Sequence, residues 1–165
     1  MHFRLPFGHH KKVEFDVPER NLAYYVERKK LPSVRDVHDS VAEALEKPIG
    51  IPPLSKLVRR SDKVVVLVDD LTRPTPQNEV LPPVFEELCA NGLSADNVQI
   101  MIALGTHRAM TDAEIVDHLG PEVAERFEVT NSDCKDEKRL MNLGTTELGI
   151  PALVDKRVIE ADFVL

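Results

Sequence analysis

Two short polar segments combine residue types that handle anions and protons: Asp69-Asp70-Leu71-Thr72-Arg73 and Thr106-His107-Arg108. Arg73 offers a planar guanidinium fork suited to a carboxylate or phosphate. Ionised Asp70 only accepts hydrogen bonds, so it either receives the hydroxyls of a sugar or fixes a neighbouring base. Thr72 has a hydroxyl to donate to an anionic oxygen. His107 is the side-chain type suited to proton transfer to or from an oxygen. The structural alternatives remain open for each. An Asp-x-Thr-Arg turn also serves to cap its own backbone and the helix after it, and a loop histidine behind a strand is often only structural.

Both segments follow apolar runs. Lys63 to Val68 is almost continuously β-branched, the pattern of a strand buried on both faces and therefore of a parallel sheet covered by helices. Val98 to Leu104 reads as a second such strand, with Gly105-Thr106-His107-Arg108 as its exit loop. In open parallel sheets ligands gather outside the carboxyl ends of the strands, so adjacent strands would set both loops on one rim.

The intervening segments read as helices. Thr75-Pro76 offers a cap and a first-turn proline for a helix through Val80, Val84, Leu88 and Cys89 to Asn91-Gly92, with Cys89 on its apolar side as a buried thiol. Thr111-Asp112-Ala113-Glu114 is a capping box for another, ending at Leu119-Gly120 before Pro121 starts a short one. Phe127 to Thr130 is a third strand. Upstream, Lys12 to Val17 alternates as a strand, Asn21 to Val26 reads as another, and Ser33 with Asp36 resembles a capping box for a helix stopped at Lys47-Pro48. A short helical turn is expected around Leu54 to Val58. Downstream, Leu140 to Thr145 and Ile150 to Val154 form a hairpin expected to extend the sheet, and Ala161 to Leu165 begins a further strand. The class is α/β, a mainly parallel Rossmann-like sheet with helices on both faces. A strand with nothing after it marks the chain, in this reading, as truncated.

Composition narrows the partners. The 165 residues carry a formal charge of −7, 42 % hydrophobic and 30 % charged side chains, which fits a globular protein and argues against binding nucleic acid backbones. No apolar run approaches the roughly 20 residues that span a bilayer, and no signal peptide is visible, so no membrane partner is expected. Two cysteines, Cys89 and Cys134, make no disulfide framework, and the expected setting is cytoplasmic. His9-His10 reads as an exposed pair in an N-terminal arm, while His38 and His118 are expected on the solvent sides of helices. No dinucleotide fingerprint, Walker loop or nucleophile elbow is present, and Asp69-Asp70 lacks the phosphate loop of a magnesium site.

The motifs Val68-Asp69-Asp70-Leu71-Thr72-Arg73-Pro74-Thr75-Pro76 and Ala103-Leu104-Gly105-Thr106-His107-Arg108-Ala109-Met110-Thr111 resemble the nickel-dependent lactate racemase family. Leu5-Pro6-Phe7-Gly8, Val13-Glu14-Phe15, Pro48-Ile49-Gly50 and Leu143-Gly144-Thr145-Thr146 extend the resemblance over nearly the whole chain. It implies that residues 1–165 are the N-terminal part of a cofactor-binding domain, in a racemase or epimerase of 2-hydroxyacids. The implied cofactor is a nickel-pincer nucleotide, a pyridinium mononucleotide gripping nickel, whose lysine attachment and nickel ligands fall beyond Leu165, so no metal ligand is expected here. By motif, His107 resembles one of the family's two acid/base histidines, Arg73 the residue holding the substrate carboxylate, and Asp70, Leu71, Thr72 and Arg73 the turn contacting the cofactor. Asn131-Ser132-Asp133 departs from the Asn-His-Asp common in relatives. The reading that stands against an isomerase is a non-catalytic module retained for folding or for docking a partner.

Overall fold

The computed structural model describes residues 1–7 and 11–165; Gly8 and the His9-His10 pair lie outside the described residues. The chain divides into two units, Met1–Ser33 and Val34–Leu165.

The first unit is an antiparallel hairpin, β1 (His2–Phe7) against β2 (Lys11–Asp16), with Phe3 opposite Phe15 and Leu5 opposite Val13. Period-two alternation therefore sets Phe3, Leu5, Val13 and Phe15 on one face and Arg4 beside Glu14 on the other. Asn21 to Val26 is not a strand: Asn21 ends a 3-10 turn, and Tyr24 and Val26 are 80 % and 77 % exposed. Aromatic and β-branched content favours a strand only where a neighbour supplies the ladder, and among the described residues this segment pairs with none.

The second unit is built on a parallel sheet of order β5-β4-β3-β8, from β3 (Val64–Val68), β4 (Val98–Ile102), β5 (Glu128–Asn131) and β8 (Phe163–Val164). Between β3 and β4 runs α3 (Gln77–Ala90); between β4 and β5 run α4 (Asp112–Leu119) and α5 (Pro121–Arg126). Right-handed crossovers place these helices on one face. There Val64, Val66, Val68, Ile100 and Ile102 meet Leu81, Phe85, Leu88, Ile115, Leu119 and Val123 in one core. The first helix, α1 (Val37–Glu46), adds Val41 and Leu45 to the edge of that core, and α2 (Leu54–Leu57) adds Leu54. The connection from β5 to β8 reverses direction and so crosses the other face. It carries α6 (Lys156–Glu160), whose Arg157 and Glu160 border a hollow with Val65 and Gln99. That face is only partly covered: Val65 and Met101 are buried, but Leu67 is 40 % exposed.

Several local expectations are corrected. The cap of α1 is Asp36, whose side chain accepts from the Asp39 amide, rather than Ser33. Helix α3 has no side-chain cap: Pro76 occupies that position, and Thr75 turns its hydroxyl to Asp69 instead. Cys89 is half-buried rather than buried. The hairpin β6 (Leu140–Thr145) and β7 (Pro151–Asp155) forms as expected but is a separate two-stranded sheet, not an extension of the main one. Thr111 and Glu114 close the full capping box on α4. No helix among the described residues is long and apolar enough to cross a membrane.

Candidate active site

The sheet order reverses at β3, since β4 and β5 lie to one side and β8 to the other. The turn leaving β3 therefore sits at a topological switch point, the place where open α/β sheets take ligands. Within it, Asp70 is 4 % exposed. Its Oδ1 accepts from the Thr72 amide at 3.0 Å and from Thr72 Oγ1 at 2.5 Å, and its backbone carbonyl accepts from the Arg73 amide at 3.0 Å. This closed Asx-turn fixes the carboxylate. The other oxygen, Oδ2, stands 2.5 Å from His107 Nδ1, so the two sequence-predicted loops meet through a hydrogen bond.

The β4 exit loop is shaped to deliver His107. Gly105 takes φ of +58°, a left-handed conformation that glycine adopts without penalty, and the His107 amide closes the turn on the Leu104 carbonyl at 3.0 Å. The end of β5 braces the loop at both ends. Ser132 Oγ accepts from the Leu104 amide at 3.0 Å, and the Asn131 side chain accepts from the Met110 amide and donates to its carbonyl, both at 3.0 Å.

The electrostatics of the pair follow from these bonds. Donation from the Thr72 hydroxyl and then from His107 holds the Asp70 carboxyl at about 2, against an ordinary value of 3.8, despite the opposing effect of burial. Asp70 is thus an acceptor at neutral pH, and the nitrogen facing it, His107 Nδ1, must carry the proton. With Nδ1 so engaged, Nε2 is the ring nitrogen left to meet a ligand. The His107 side chain is 53 % exposed and lines a cleft of about 490 Å³ with Thr106, Ser132, Cys134, Lys135 and Arg139.

The remaining predicted residues fall into two groups. Leu71, Thr72 and Arg73 are exposed on the β3 turn, and the Arg73 guanidinium makes no hydrogen bond or ion pair among the described residues. Arg108, beside His107, is not free: its guanidinium is bidentate on Glu114 at 2.8 and 2.6 Å, which holds the Glu114 carboxyl down at about 2. His38 is exposed and paired with Glu86, as expected of it. His118 departs from expectation. Its side chain is only 10 % exposed and packs against Asp69, with Nε2 3.0 Å from the Asp69 carbonyl. Its helical spacing from Ile115, one turn earlier on the buried side of α4, is the signal that would have placed it. Gln77 carries no motif of its own, and Asn131 and Ser132, noted only as a departure from the Asn-His-Asp of relatives, are brought to the loop by the fold.

Residues 7–165 match the lactate racemase N-terminal domain. The chain belongs to that family. It is 30 % identical over 164 residues to the lactate racemase of Thermoanaerobacterium thermosaccharolyticum, and 27 % identical over 127 residues to that of Lactiplantibacillus plantarum. These alignments cover 98 % and 77 % of the chain but 38 % and 30 % of the relatives, so the chain spans under two fifths of their length. The structure of the Thermoanaerobacterium lactate racemase apoprotein superimposes with a TM-score of 0.80 at 29 % identity, over 99 % of this chain and 38 % of that one. A Thermotoga maritima protein shares the fold alone, with a TM-score of 0.61 at 22 % identity, over 85 % of this chain and 34 % of that one. The lactate racemase family thus accounts for the parallel sheet.

Proposed function

We propose that this chain is the N-terminal part of a 2-hydroxyacid racemase or epimerase, with His107 as one acid/base and Arg73 as the anchor of the substrate carboxylate. The observation that carries the reading is the His107–Asp70 hydrogen bond. A carboxylate that is saturated by Thr72 and ionised at neutral pH commits His107 to the Nδ1–H form. Nε2 is then the atom that takes the hydroxyl proton from one enantiomer, or gives a proton to the oxygen when that enantiomer is the product. Arg73, whose fork is unengaged among the described residues, supplies the bidentate partner for a carboxylate, a geometry lysine would not reproduce.

The proposed cofactor is the nickel-pincer nucleotide of the family. Among the described residues no group of three His, Cys, Asp or Glu side chains is placed to hold a metal ion. What this chain offers instead is the exposed turn Leu71, Thr72 and Arg73, which fits an anionic portion of the nucleotide. Asp70 contributes by shaping that turn, because both its oxygens are already engaged. When bound, the nucleotide supplies the acceptor for the substrate hydride. The proposed setting is cytoplasmic, which suits the unpaired Cys89 and Cys134.

The test is chiral chromatography of 2-hydroxyacids incubated with a cofactor-loaded polypeptide that joins residues 1–165 to the length its relatives carry. His107→Ala is expected to lower the inversion rate by roughly 100-fold or more, and Arg73→Ala to raise KM by roughly 10-fold. Full activity in both variants would overturn the assignment.

A further inference from the structure

The proton-handling pair has a second tier behind it that the mechanism above does not use. Asp69, the residue before Asp70, is held from two helices and from its own loop. Thr75 Oγ1 donates to Asp69 Oδ2, and Gln77 Nε2 donates to Oδ1 at 2.7 Å. From α4, His118 Nε2 stands 3.0 Å from the Asp69 carbonyl and 3.6 Å from Oδ1. Gln77 and the His118 side chain are 6 % and 10 % exposed, so both donors approach from the buried side, while the Asp69 side chain itself is 32 % exposed.

The Asp69 carbonyl belongs to the same rigid peptide plane as the Asp70 amide nitrogen. Rotating that plane swings the Asp70 Cα–Cβ bond and with it the Oδ2 that meets His107 Nδ1. Because a carbonyl only accepts, the His118 nitrogen facing it must carry a proton. We propose that His118 is a positioning residue for the His107–Asp70 pair: its Nε2–H fixes the Asp69–Asp70 peptide plane from the core side and so aims the Asp70 carboxylate at His107 Nδ1. Gln77 and Thr75 lock the Asp69 side chain so that the plane cannot follow it. The inference rests on the Asp70–His107 pairing invoked for the proposed function, which the controls below test separately.

The experiment is ¹⁵N-labelled NMR of the 165-residue chain, reading the imidazole tautomer of His107 and the low-field Nδ1–H resonance that a short bond to a carboxylate produces. His118→Leu keeps the volume and removes the donor; His118→Asn keeps a polar group too short to reach the carbonyl. Each is expected to lose the low-field resonance while circular dichroism reports a folded chain, and the Asn variant serves where the Leu variant does not fold. His118→Gln, which can reach and donate, is expected to keep it. An unchanged His107 resonance in either folded loss variant would overturn the proposal, even if its melting temperature fell, because a purely structural histidine predicts that result. Loss in His118→Gln as well would overturn the assignment to the Nε2 hydrogen bond. Asp70→Asn must abolish the resonance; if it does not, the pairing itself is wrong, whatever the His118 variants show.

Discussion

Asp70 decides what the rim can do, because it is the residue on which both loops converge. A carboxylate in that turn had two uses open to it, accepting hydroxyls of a ligand or fixing a base. The structure commits it to the second by occupying one oxygen with Thr72 and the other with His107. The commitment has a thermodynamic signature. A carboxyl held at about 2 when folded and near its ordinary 3.8 when unfolded stabilises the native state fully above the unfolded value. That contribution is lost as pH falls through the folded value. Urea unfolding of the chain and of Asp70→Asn should therefore show a constant stability gap above about pH 5 that narrows by about 1 kcal/mol towards pH 2, with solvent screening at the rim allowed for. A gap that stays constant down to pH 2 would mean that Asp70 is not the charged acceptor in this pair.

At the scale of elements, the His107 loop is held less by its own strand than by the next one. Asn131 makes two hydrogen bonds to Met110, and Ser132 one to Leu104, so β5 clamps both ends of a loop that β4 begins. Asn131→Ala should cost about 2 kcal/mol of stability, the sum of two such bonds. It should also speed amide hydrogen exchange across residues 105–110 while leaving β3 protected; unchanged exchange there would show that the loop is held elsewhere. This dependence also marks where the sequence was legible. The cores of β3 and β4, the Thr111 capping box and the Gly120-Pro121 break are local patterns, readable because adjacent residues enforce them. The clamps, the Asp70–His107 bond itself and the buried position of His118 are long-range, set by which strands the topology makes neighbours. Thr75 shows the limit most directly: as a threonine before a proline and a helix it fits a cap, yet Asp69 across the turn competes for its hydroxyl and wins. Asn21 to Val26 errs for the converse reason, since its strand propensity meets no partner strand.

For the molecule as a whole, the question is how many proton carriers the rim holds. Inverting a 2-hydroxyacid carbon exposes the hydroxyl proton on one face and requires its replacement when hydride returns to the other, so one fixed base serves only one enantiomer well. The described histidines are accounted for one by one. His2 lies 3.2 Å from Asp16 in the N-terminal hairpin unit, His38 pairs with Glu86 between α1 and α3, and His118 is spent on Asp69. His107 alone among them lines the cleft beside the β4 loop. The 165-residue chain given nickel-pincer nucleotide and D- or L-lactate is therefore expected to show no net inversion by chiral chromatography. Racemisation by this chain alone, abolished by His107→Ala, would mean that a single histidine reaches both faces of the substrate.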